Sequence, residues 1–330
     1  MSSAQSDENR VTVRQQLQQL EQQLSEQVLG QRAIVRQLLI GLLCSGHVLL
    51  EGYPGTAKTR TVRRLAALLN ASMGRIQFTP DLLPADITGA EVYHPQRDEQ
   101  RMVFEPGPIF KQLVLADEIN RAPAKVQSAL LEAMEERQVT AAGTSHPLPQ
   151  PFMVIATQNP LEQEGTYPLP EAQLDRFLLK ITLDYPDRDT ELAMLAVVNR
   201  EQHSDWQPPA GMAVETIMAA QREVLAVTVA PLLESYMVDL TMATRHCDRY
   251  PAPLAGALLA GVSPRATIAL HRASRANAWL AGRDVVEPDD VRAVAPAVLR
   301  HRLLRSYRAE AEGLDADTLV AALLDQVAIG

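Results

Sequence analysis

The pattern of apolar and polar positions divides the chain into two parts. In the first part, five short apolar segments are separated by stretches in which apolar residues recur at helical spacing. Strands that alternate with helices predict a parallel sheet with helices on both faces. The segments are apolar throughout, as expected of strands that are covered on both sides. The predicted strands are 47–51, 75–78, 113–117, 152–157 and 177–183.

The second part predicts a helical domain. Beyond Tyr185-Pro186 the chain is rich in Ala and Leu, and prolines interrupt its helical segments. Pro288 has the position of a first-turn proline that opens a helix. We therefore expect an α/β domain over 11–186, a smaller all-helical domain over 187–330, and a disordered polar tail over 1–10.

Two inserts interrupt the regular alternation of the first part. Two segments that contain apolar residues flank a polar stretch at 96–100. This pattern predicts a hairpin near 91–104, with the polar stretch as its tip. A second pair flanks Ala142-Gly143 and predicts a hairpin near 137–149. Such excursions from a compact sheet are often functional, and a plain surface hairpin is the alternative that the pattern leaves open.

Composition and charge narrow the classes of function. The chain has 330 residues, of which 46% are apolar, and a net charge of −9. This acidic balance argues against broad nucleic-acid binding, which requires a basic surface. Cys44 and Cys247 lack metal-ligand spacing, and a reduced, cytoplasmic environment fits them best. The longest apolar stretch, 38–50, is too short and too interrupted to span a bilayer, and we expect no signal peptide.

A glycine loop between the first predicted strand and the next helix carries the strongest chemical signal. Strand, glycine loop, Lys-Thr and helix are the arrangement of a phosphate-binding P-loop, whose backbone N–H groups and helix dipole face the phosphates. Lys58 would reach the outer phosphates, and Thr59 would hold Mg²⁺ through its hydroxyl. The candidate nucleotide-binding residues are Gly52, Tyr53, Pro54, Gly55, Thr56, Ala57, Lys58, Thr59 and Arg60.

Two parts of the loop place demands on its backbone. Pro54-Gly55 suits the centre of a type II turn, in which the second residue needs a positive φ. Ala57 stands where a P-loop usually has glycine before the lysine. An alanine is compatible with the loop if that residue already has helical φ and ψ.

Acidic and amide side chains follow two further strands. Asp117 and Glu118 end the segment 113–117, and Asn159 follows 152–157. Ligands bind outside the carboxyl ends of parallel strands, so we expect these groups near the P-loop. Asp117 would hold Mg²⁺, Glu118 would polarise the attacking water, and Asn159 would orient that water. A solvated strand end and a simple Asn-Pro turn are the alternatives.

Longer segments of the chain resemble the MoxR family of AAA+ ATPases. The resemblance extends from about Val28 to about Leu304, and the family also has an alanine before the P-loop lysine. It implies a P-loop AAA+ fold with a five-stranded parallel sheet, a C-terminal helical lid, and a hexameric ring that binds ATP and Mg²⁺ between subunits. The segments that carry it are 75–89, 117–122, 127–137, 156–160 and 165–177.

The resemblance also implies roles for individual residues. Lys58 and Thr59 match the Walker A motif, Asp117 and Glu118 match Walker B, and Asn159 matches sensor 1. These assignments agree with the chemistry that the residue types and their positions after strands already suggest.

Three arginines and a short apolar segment complete the implied site. Arg176 matches the arginine finger that acts on a neighbour's γ-phosphate, and Arg121 is a second candidate for that interface. Arg265 matches sensor 2, which would reach the nucleotide from the lid. Local ion pairing is the alternative for Arg176, and solvation of a helix start is the alternative for Arg265. Val28 and Leu29 belong to a segment that resembles the family's adenine contact.

The family resemblance implies an ATP-driven chaperone that remodels a client protein, assembles a complex or inserts a metal cofactor. Family members often act with a partner that carries a von Willebrand factor A-type domain. Two other functions stay open. A nucleic-acid-associated motor is disfavoured by the acidic charge. A scaffold that does not hydrolyse nucleotide could dispense with Glu118 and Arg176, yet both are present. The hairpin near 91–104 lies within the insert that the family directs to the ring axis or client.

Overall fold

The computed structural model describes residues 3–28, 32–56, 58–94, 102–141, 143–160, 165–203 and 211–330. The helices are α1 (Ser3–Gln27), α2 (Arg32–Leu43), α3 (Lys58–Leu68), α4 (Pro84–Thr88), α5 (Ala124–Glu136), α6 (Glu171–Leu174), α7 (Arg188–His203), α8 (Val214–Leu225), α9 (Pro231–Arg245), α10 (Pro264–Leu280), α11 (Pro288–Leu299), α12 (Tyr307–Ala311) and α13 (Ala316–Gln326). The strands are β1 (Val48–Gly52), β2 (Met73–Gln77), β3 (Gly89–Tyr93), β4 (Met102–Pro106), β5 (Leu113–Asp117), β6 (Gln138–Ala141), β7 (Thr144–Pro147), β8 (Met153–Gln158), β9 (Leu179–Leu183), β10 (Leu258–Ala260) and β11 (Leu304–Arg305).

Five strands form a single parallel sheet in the order β2-β5-β8-β1-β9. The inner strand β5 is buried at every position, whereas the edge strand β2 alternates between buried and more exposed positions. This difference follows from the helices that cover both faces of the central strands. The predicted five-stranded parallel sheet is confirmed, and all its strands end at the edge where β1 enters the glycine loop.

Both inserts are antiparallel hairpins. Strand β3 pairs with β4, with Tyr93 opposite Met102, and β6 pairs with β7, with Ala141 opposite Thr144. The polar tip predicted at 96–100 and Ala142 lie outside the described residues. Val92, Tyr93 and Met102 expose much of their side chains, so the first hairpin presents apolar surface.

The N-terminal helix α1 begins at Ser3, so the segment 3–10, predicted as a disordered tail, is helical; residues 1–2 lie outside the described part. Leu17, Leu20 and Leu24 bury the later turns of the helix in the core. Once those turns are formed, each added residue gains a hydrogen bond without a new nucleation cost. This explains how a polar segment with little apolar pattern extends the helix.

The described part of the C-terminal domain is mainly helical, with one short ribbon and an isolated bridge between Thr228 and Val285. Strands β10 and β11 pair antiparallel, which the sequence prediction of an all-helical domain missed. Segments of two and three residues are too short to show the alternation that identifies a strand. Helix α11 begins at Pro288, as predicted. In the part of the chain that the structure describes, no helix is long and apolar enough to cross a membrane.

A continuous hydrophobic core joins the sheet to the helical domain. It includes one face of the sheet, α1, α2 and α3, and the helices of the C-terminal domain. A second core on the other face of the sheet contains residues of α4 and α5. The second half of α2, residues 38–43, is buried on all sides because it lies between the sheet and the helical domain. The two domains therefore share packing surface rather than meeting only at a linker.

Candidate functional site

The glycine loop has the backbone that its residues predict. Its turn is closed by the amide of Thr56, which donates to the carbonyl of Tyr53 at 3.4 Å, and by the Thr56 hydroxyl, which donates to the same carbonyl at 2.8 Å. Gly55, inside that turn, has a φ of +83°. A side chain at this φ would be strained, so glycine suits the position.

Close approach of β1 and β9 explains the first glycine of the loop. A Cβ on Gly52 would lie 2.7 Å from Leu183 Cβ and 2.9 Å from its carbonyl oxygen. The pairing of Gly52 with Leu183 also brings Tyr53 beside Tyr185, two residues past the end of β9. Their rings stack with centroids 4.7 Å apart and planes 1° apart. The loop is thus held against the linker to the helical domain.

Lys58, the first residue of α3, lies across the mouth of the loop. Its ammonium donates to the carbonyl of Gly52, and it lies 3.4 Å from each of the carbonyls of Tyr53 and Gln158. These carbonyls stand at the carboxyl ends of β1 and β8. The charge of Lys58 is therefore at the edge of the sheet where phosphate binding was predicted. Ala57 lies outside the described residues, and Arg60 is in the first turn of α3.

Asp117 is held in place by two side chains and lies near a third. Thr157 donates its hydroxyl to Oδ1 at 2.7 Å, and Arg75 pairs with Oδ2 at 2.8 Å. Thr59 Oγ1 lies 3.5 Å from Oδ2, which is long for a direct O–H···O bond. A hydroxyl and a carboxylate are oxygen ligands of the kind that Mg²⁺ takes from proteins when it keeps its waters and binds substrate phosphates. The residues present thus fit the predicted magnesium site.

Glu118 has an unusual backbone conformation. Its φ of 58° and ψ of 50° are left-handed, which is uncommon for a residue other than glycine and often marks a functional position. Its amide donates to the Thr157 hydroxyl at 2.8 Å, so one threonine orients both acids. The carboxylate accepts from Gln77 at 2.9 Å and pairs with Arg121 at 3.1 Å. The acid is therefore positioned rather than simply solvated.

Sequence reasoning missed three residues of this constellation, namely Arg75, Gln77 and Thr157. Arg75 and Gln77 are two positions apart on β2, so their side chains lie on the same face of the sheet. The pairing of Gln77 with Asp117 in the sheet brings both to the acids. The sequence does show two polar residues, two positions apart, at the end of a predicted strand. Without the strand order, these residues could not be connected to Asp117.

The remaining predicted contacts have different outcomes. Asn159 is buried just beyond β8 and lines a cleft of about 480 Å³ between the two domains. It thus lies beside the carbonyl of Gln158 that Lys58 approaches. Val28 is buried in the hydrophobic core, and Leu29 lies outside the described residues. The predicted adenine contact thus has one visible residue, which is part of the core.

Arg176 and Arg265 lie together, away from the glycine loop. Both pair with Glu135 near the end of α5: Arg176 at 2.8 Å, and Arg265 through a direct hydrogen bond. They line a cavity with His47, which precedes β1. This cavity is at the amino edge of the sheet, whereas the glycine loop is at the carboxyl edge, about 17 Å away along a five-residue strand.

In this structure Arg265, predicted to reach the nucleotide from the lid, lies beside Arg176 and Glu135 rather than beside the glycine loop. Arg265 is at the start of α10, and the neighbouring Ser263 donates to Asp175 at 2.7 Å. Asp175 also pairs at 2.7 Å with Arg302, and the side chain of Arg302 is only 3% exposed. Burial lowers the pKa of Arg302, and Asp175 opposes that effect. These contacts attach the helical domain to the amino edge of the sheet, and Arg265 goes with it.

Comparison with known proteins identifies the family. The family described as "ATPase family associated with various cellular activities (AAA)" matches residues 47–179, and the AAA lid domain matches residues 255–323. Chaperone MoxR1 from Mycobacterium tuberculosis is 43% identical over 92% of this chain and 79% of its own length. Protein MoxR from Paracoccus denitrificans is 37% identical over 90% of each chain. Uncharacterized protein YeaC from Bacillus subtilis is 45% identical over 92% of this chain and 91% of its own.

A solved structure agrees with these relatives. The crystal structure of a candidate ATPase from Cytophaga hutchinsonii has a TM-score of 0.91 and 41% sequence identity, and the alignment covers 98% of each chain. The AAA domain contains the glycine loop and both acids, and the lid domain contains Arg265. The chain therefore belongs to the MoxR family of AAA+ ATPases.

Proposed function

We propose that this protein hydrolyses ATP at composite sites between the subunits of a ring, with Mg²⁺ as cofactor, and uses the cycle to remodel a client protein. The observation that carries the proposal is the separation of the two sets of charged groups. Lys58, Asp117 and Glu118 lie at the carboxyl edge of the sheet, and Arg176 lies with Arg265 at the amino edge. One chain therefore does not bring them together.

Head-to-tail assembly would unite the two sets. An interface that joins different surfaces of identical subunits forms a ring when the rotation closes. Arg176 and Arg265 of one subunit would then contact the phosphates bound to the next. Both arginines keep partial exposure in the single chain, as this role requires. Arg121 pairs with Glu118 of its own chain, which favours Arg176 as the arginine that acts across the interface.

The chemistry follows from the residues of the carboxyl edge. Lys58 would exchange its carbonyl contacts for the outer phosphates, where its charge offsets the charge that builds up on them. Glu118 would accept a proton from the attacking water, and Asn159 would orient that water by hydrogen bonding. Thr59 and Asp117 would hold Mg²⁺, which supplies charge neutralisation of the phosphate oxygens when bound.

The experiment that tests this proposal is complementation between two inactive variants. Glu118→Gln lacks the base, and Arg176→Ala lacks the arginine, so we expect each alone to have little ATPase activity. In a mixed ring, some interfaces combine the intact Glu118 of one subunit with the intact Arg176 of the next. Random mixing at equal amounts makes about one quarter of the interfaces intact, so about one quarter of the wild-type rate should return. Arg249→Ala, an exposed arginine remote from both sets, is the matched control.

Each outcome separates the functions that the sequence left open. Recovery on mixing supports composite sites. If both variants are inactive and mixing restores nothing, the sites are not shared between subunits in the proposed way. If the wild type binds ATP but never hydrolyses it at any protein concentration, the chain acts as a nucleotide-dependent scaffold. Salt-sensitive DNA binding would instead favour a nucleic-acid motor.

The downstream role rests on family membership. The related Chaperone MoxR1 carries the term chaperone in its name. We propose that the client is remodelled, assembled into a complex or loaded with a metal cofactor, with the help of a partner that contains a von Willebrand factor A-type domain. The first hairpin, with its exposed Val92, Tyr93 and Met102, offers an apolar surface for contact with a client.

A further inference from the structure

A second cavity beside the Arg176–Arg265 cluster has a strongly positive lining. It measures about 220 Å³ and lies between the sheet domain and the helical domain. Arg137, Arg272 and Arg275 line it, and no acidic side chain is among its described lining residues. The only other titratable group in the wall is Cys44, whose burial raises its pKa to about 12. The thiol is therefore neutral and does not offset the three positive charges.

The positions of the three arginines follow from two helices. Arg137 directly follows α5, has a φ of 53° and donates to the carbonyl of Ser45 at 2.5 Å. Arg272 and Arg275 are three residues apart on α10 and therefore share one face of the helix. Arg265 and Arg272 are seven residues apart, or two turns, and share a face for the same reason. One helix therefore directs arginines to both cavities, and Arg137 reaches them from the other domain.

The described lining of this cavity carries no carboxylate, although Arg137 and Arg272 also line the neighbouring cavity that contains Glu135 and Asp175. Burial lowers the pKa of the half-buried Arg137, and the positive charge of Arg272 lowers it further. Among the described residues, Arg137, Arg272 and Arg275 have no ion pair with a carboxylate. The Nε atom of Arg275 is buried without a hydrogen-bond partner. Arg137 and Arg275 are half-buried, whereas Arg272 is exposed. Half-buried cations without an anionic partner keep a desolvation cost that a bound anion would offset.

We infer that the cavity binds a small phosphate-class oxyanion, with inorganic phosphate as the occupant. Planar guanidinium groups pair with phosphate oxygens through two parallel hydrogen bonds, and three of them suit a dianion. The volume of about 220 Å³ is below the ~300–1,000 Å³ typical of pockets for larger ligands, which favours an oxyanion over a whole nucleotide. Because the arginines come from both domains, the anion would hold the domains in this arrangement. The inference does not depend on the proposed ATPase activity.

The test uses thermal unfolding of the full chain in sodium phosphate, compared with sodium chloride at equal ionic strength so that general screening cancels. Phosphate should raise the Tm with saturation, and at about ten times its Kd the folding equilibrium constant should increase about tenfold. The P-loop also attracts phosphate, so the measurement is repeated with Lys58→Ala, in which the rise should persist. Arg249→Gln makes the same charge change at an exposed position and should behave as the wild type.

Arg272→Gln tests whether Arg272 binds phosphate or only stabilises the fold. We expect the substitution to raise the Tm in the absence of phosphate and to remove the stabilisation by phosphate. Without phosphate, the variant should have a higher Tm than the wild type, since its repulsion with Arg137 is removed. With phosphate, it should lose the rise. Arg275→Gln should also lose the rise. The inference is wrong if phosphate does not raise the Tm of the wild type, if phosphate stabilises Arg272→Gln as much as the wild type, or if Lys58→Ala abolishes the effect.

Discussion

Protonation of His47 should destabilise the fold in a defined pH range. This residue lies between α2 and β1, and its ring is 5% exposed. Nδ1 accepts the backbone N–H of Val154 at 2.9 Å, and Nε2 lies 3.2 Å from the carbonyl of Met134, to which it donates. The neutral ring satisfies both contacts, whereas a proton on Nδ1 would oppose an N–H to an N–H. The contacts thus join the starts of β1 and β8 to α5.

The size of the effect follows from the pKa. Burial lowers the pKa of His47 to about 4. The hydrogen bond to the Met134 carbonyl opposes this shift, and the positive charge of Arg137 adds a smaller lowering. An unfolded histidine has a pKa of about 6.5. Between these values the unfolded chain binds more protons, so the stability that His47 contributes is complete above about pH 6.5 and decreases as the pH falls to about 4. The loss should be about 2 kcal/mol at pH 5 and about 3 kcal/mol in full, at about 1.4 kcal/mol per pH unit.

The assay is urea unfolding of the wild type and of His47→Gln at pH 7.5, 6 and 5. Glutamine offers a donor and an acceptor but does not titrate, so the difference between the two proteins isolates His47 from all other groups. The wild type should lose about 2 kcal/mol more than the variant between pH 7.5 and pH 5. His246→Gln, at an exposed position, should follow the wild type. Parallel curves for the wild type and His47→Gln would refute the argument.

Two further substitutions test other parts of the structure. Arg302→Gln removes the buried partner of Asp175, at 2.7 Å, and the donor to the Phe177 carbonyl, at 2.6 Å. The free energy of unfolding measured in urea should fall by about 3–5 kcal/mol. A loss below about 1 kcal/mol would contradict the role of Arg302 in joining the two domains. Thr157→Val removes the hydroxyl shared by Asp117 and the Glu118 amide, and should lower the free energy of unfolding by about 1–3 kcal/mol. It should also reduce ATP turnover, measured in a hydrolysis assay, more than ATP affinity, measured by calorimetry. An unchanged turnover rate would show that the hydroxyl is not needed.

Much of the α/β domain was predictable from local pattern. Each of its sheet strands is a short apolar segment followed by a turn signal, and the burial of central strands makes such segments apolar throughout. Gly55 has the positive φ that the Pro54-Gly55 turn requires. Because parallel strands end at a common edge, the loop, Asp117 and Asn159 were expected to be neighbours without any knowledge of strand order.

The rest depended on which segments meet in space. The pairing of Gln77 with Asp117 is a property of the strand order, so the contacts of Gln77 and Arg75 with the acids had no local signal. The short ribbon of the C-terminal domain forms only because the helices bring two brief segments together. The imbalance of charge around Arg137 and Arg272 likewise exists only in the folded chain, since these residues are far apart in sequence.

The helices, the strands and the residue types at the carboxyl edge could be inferred from the sequence, because hydrophobic periodicity and turn geometry act over a few residues. The attachment point of the helical domain instead follows from contacts between distant parts of the chain. Arg302 binds Asp175 and brings α10 to the amino edge of the sheet, so Arg265 joins Arg176 and Glu135 instead of its own glycine loop. The physical reason is that such long-range ion pairs depend on the packing of two domains, which no local spacing of residues encodes.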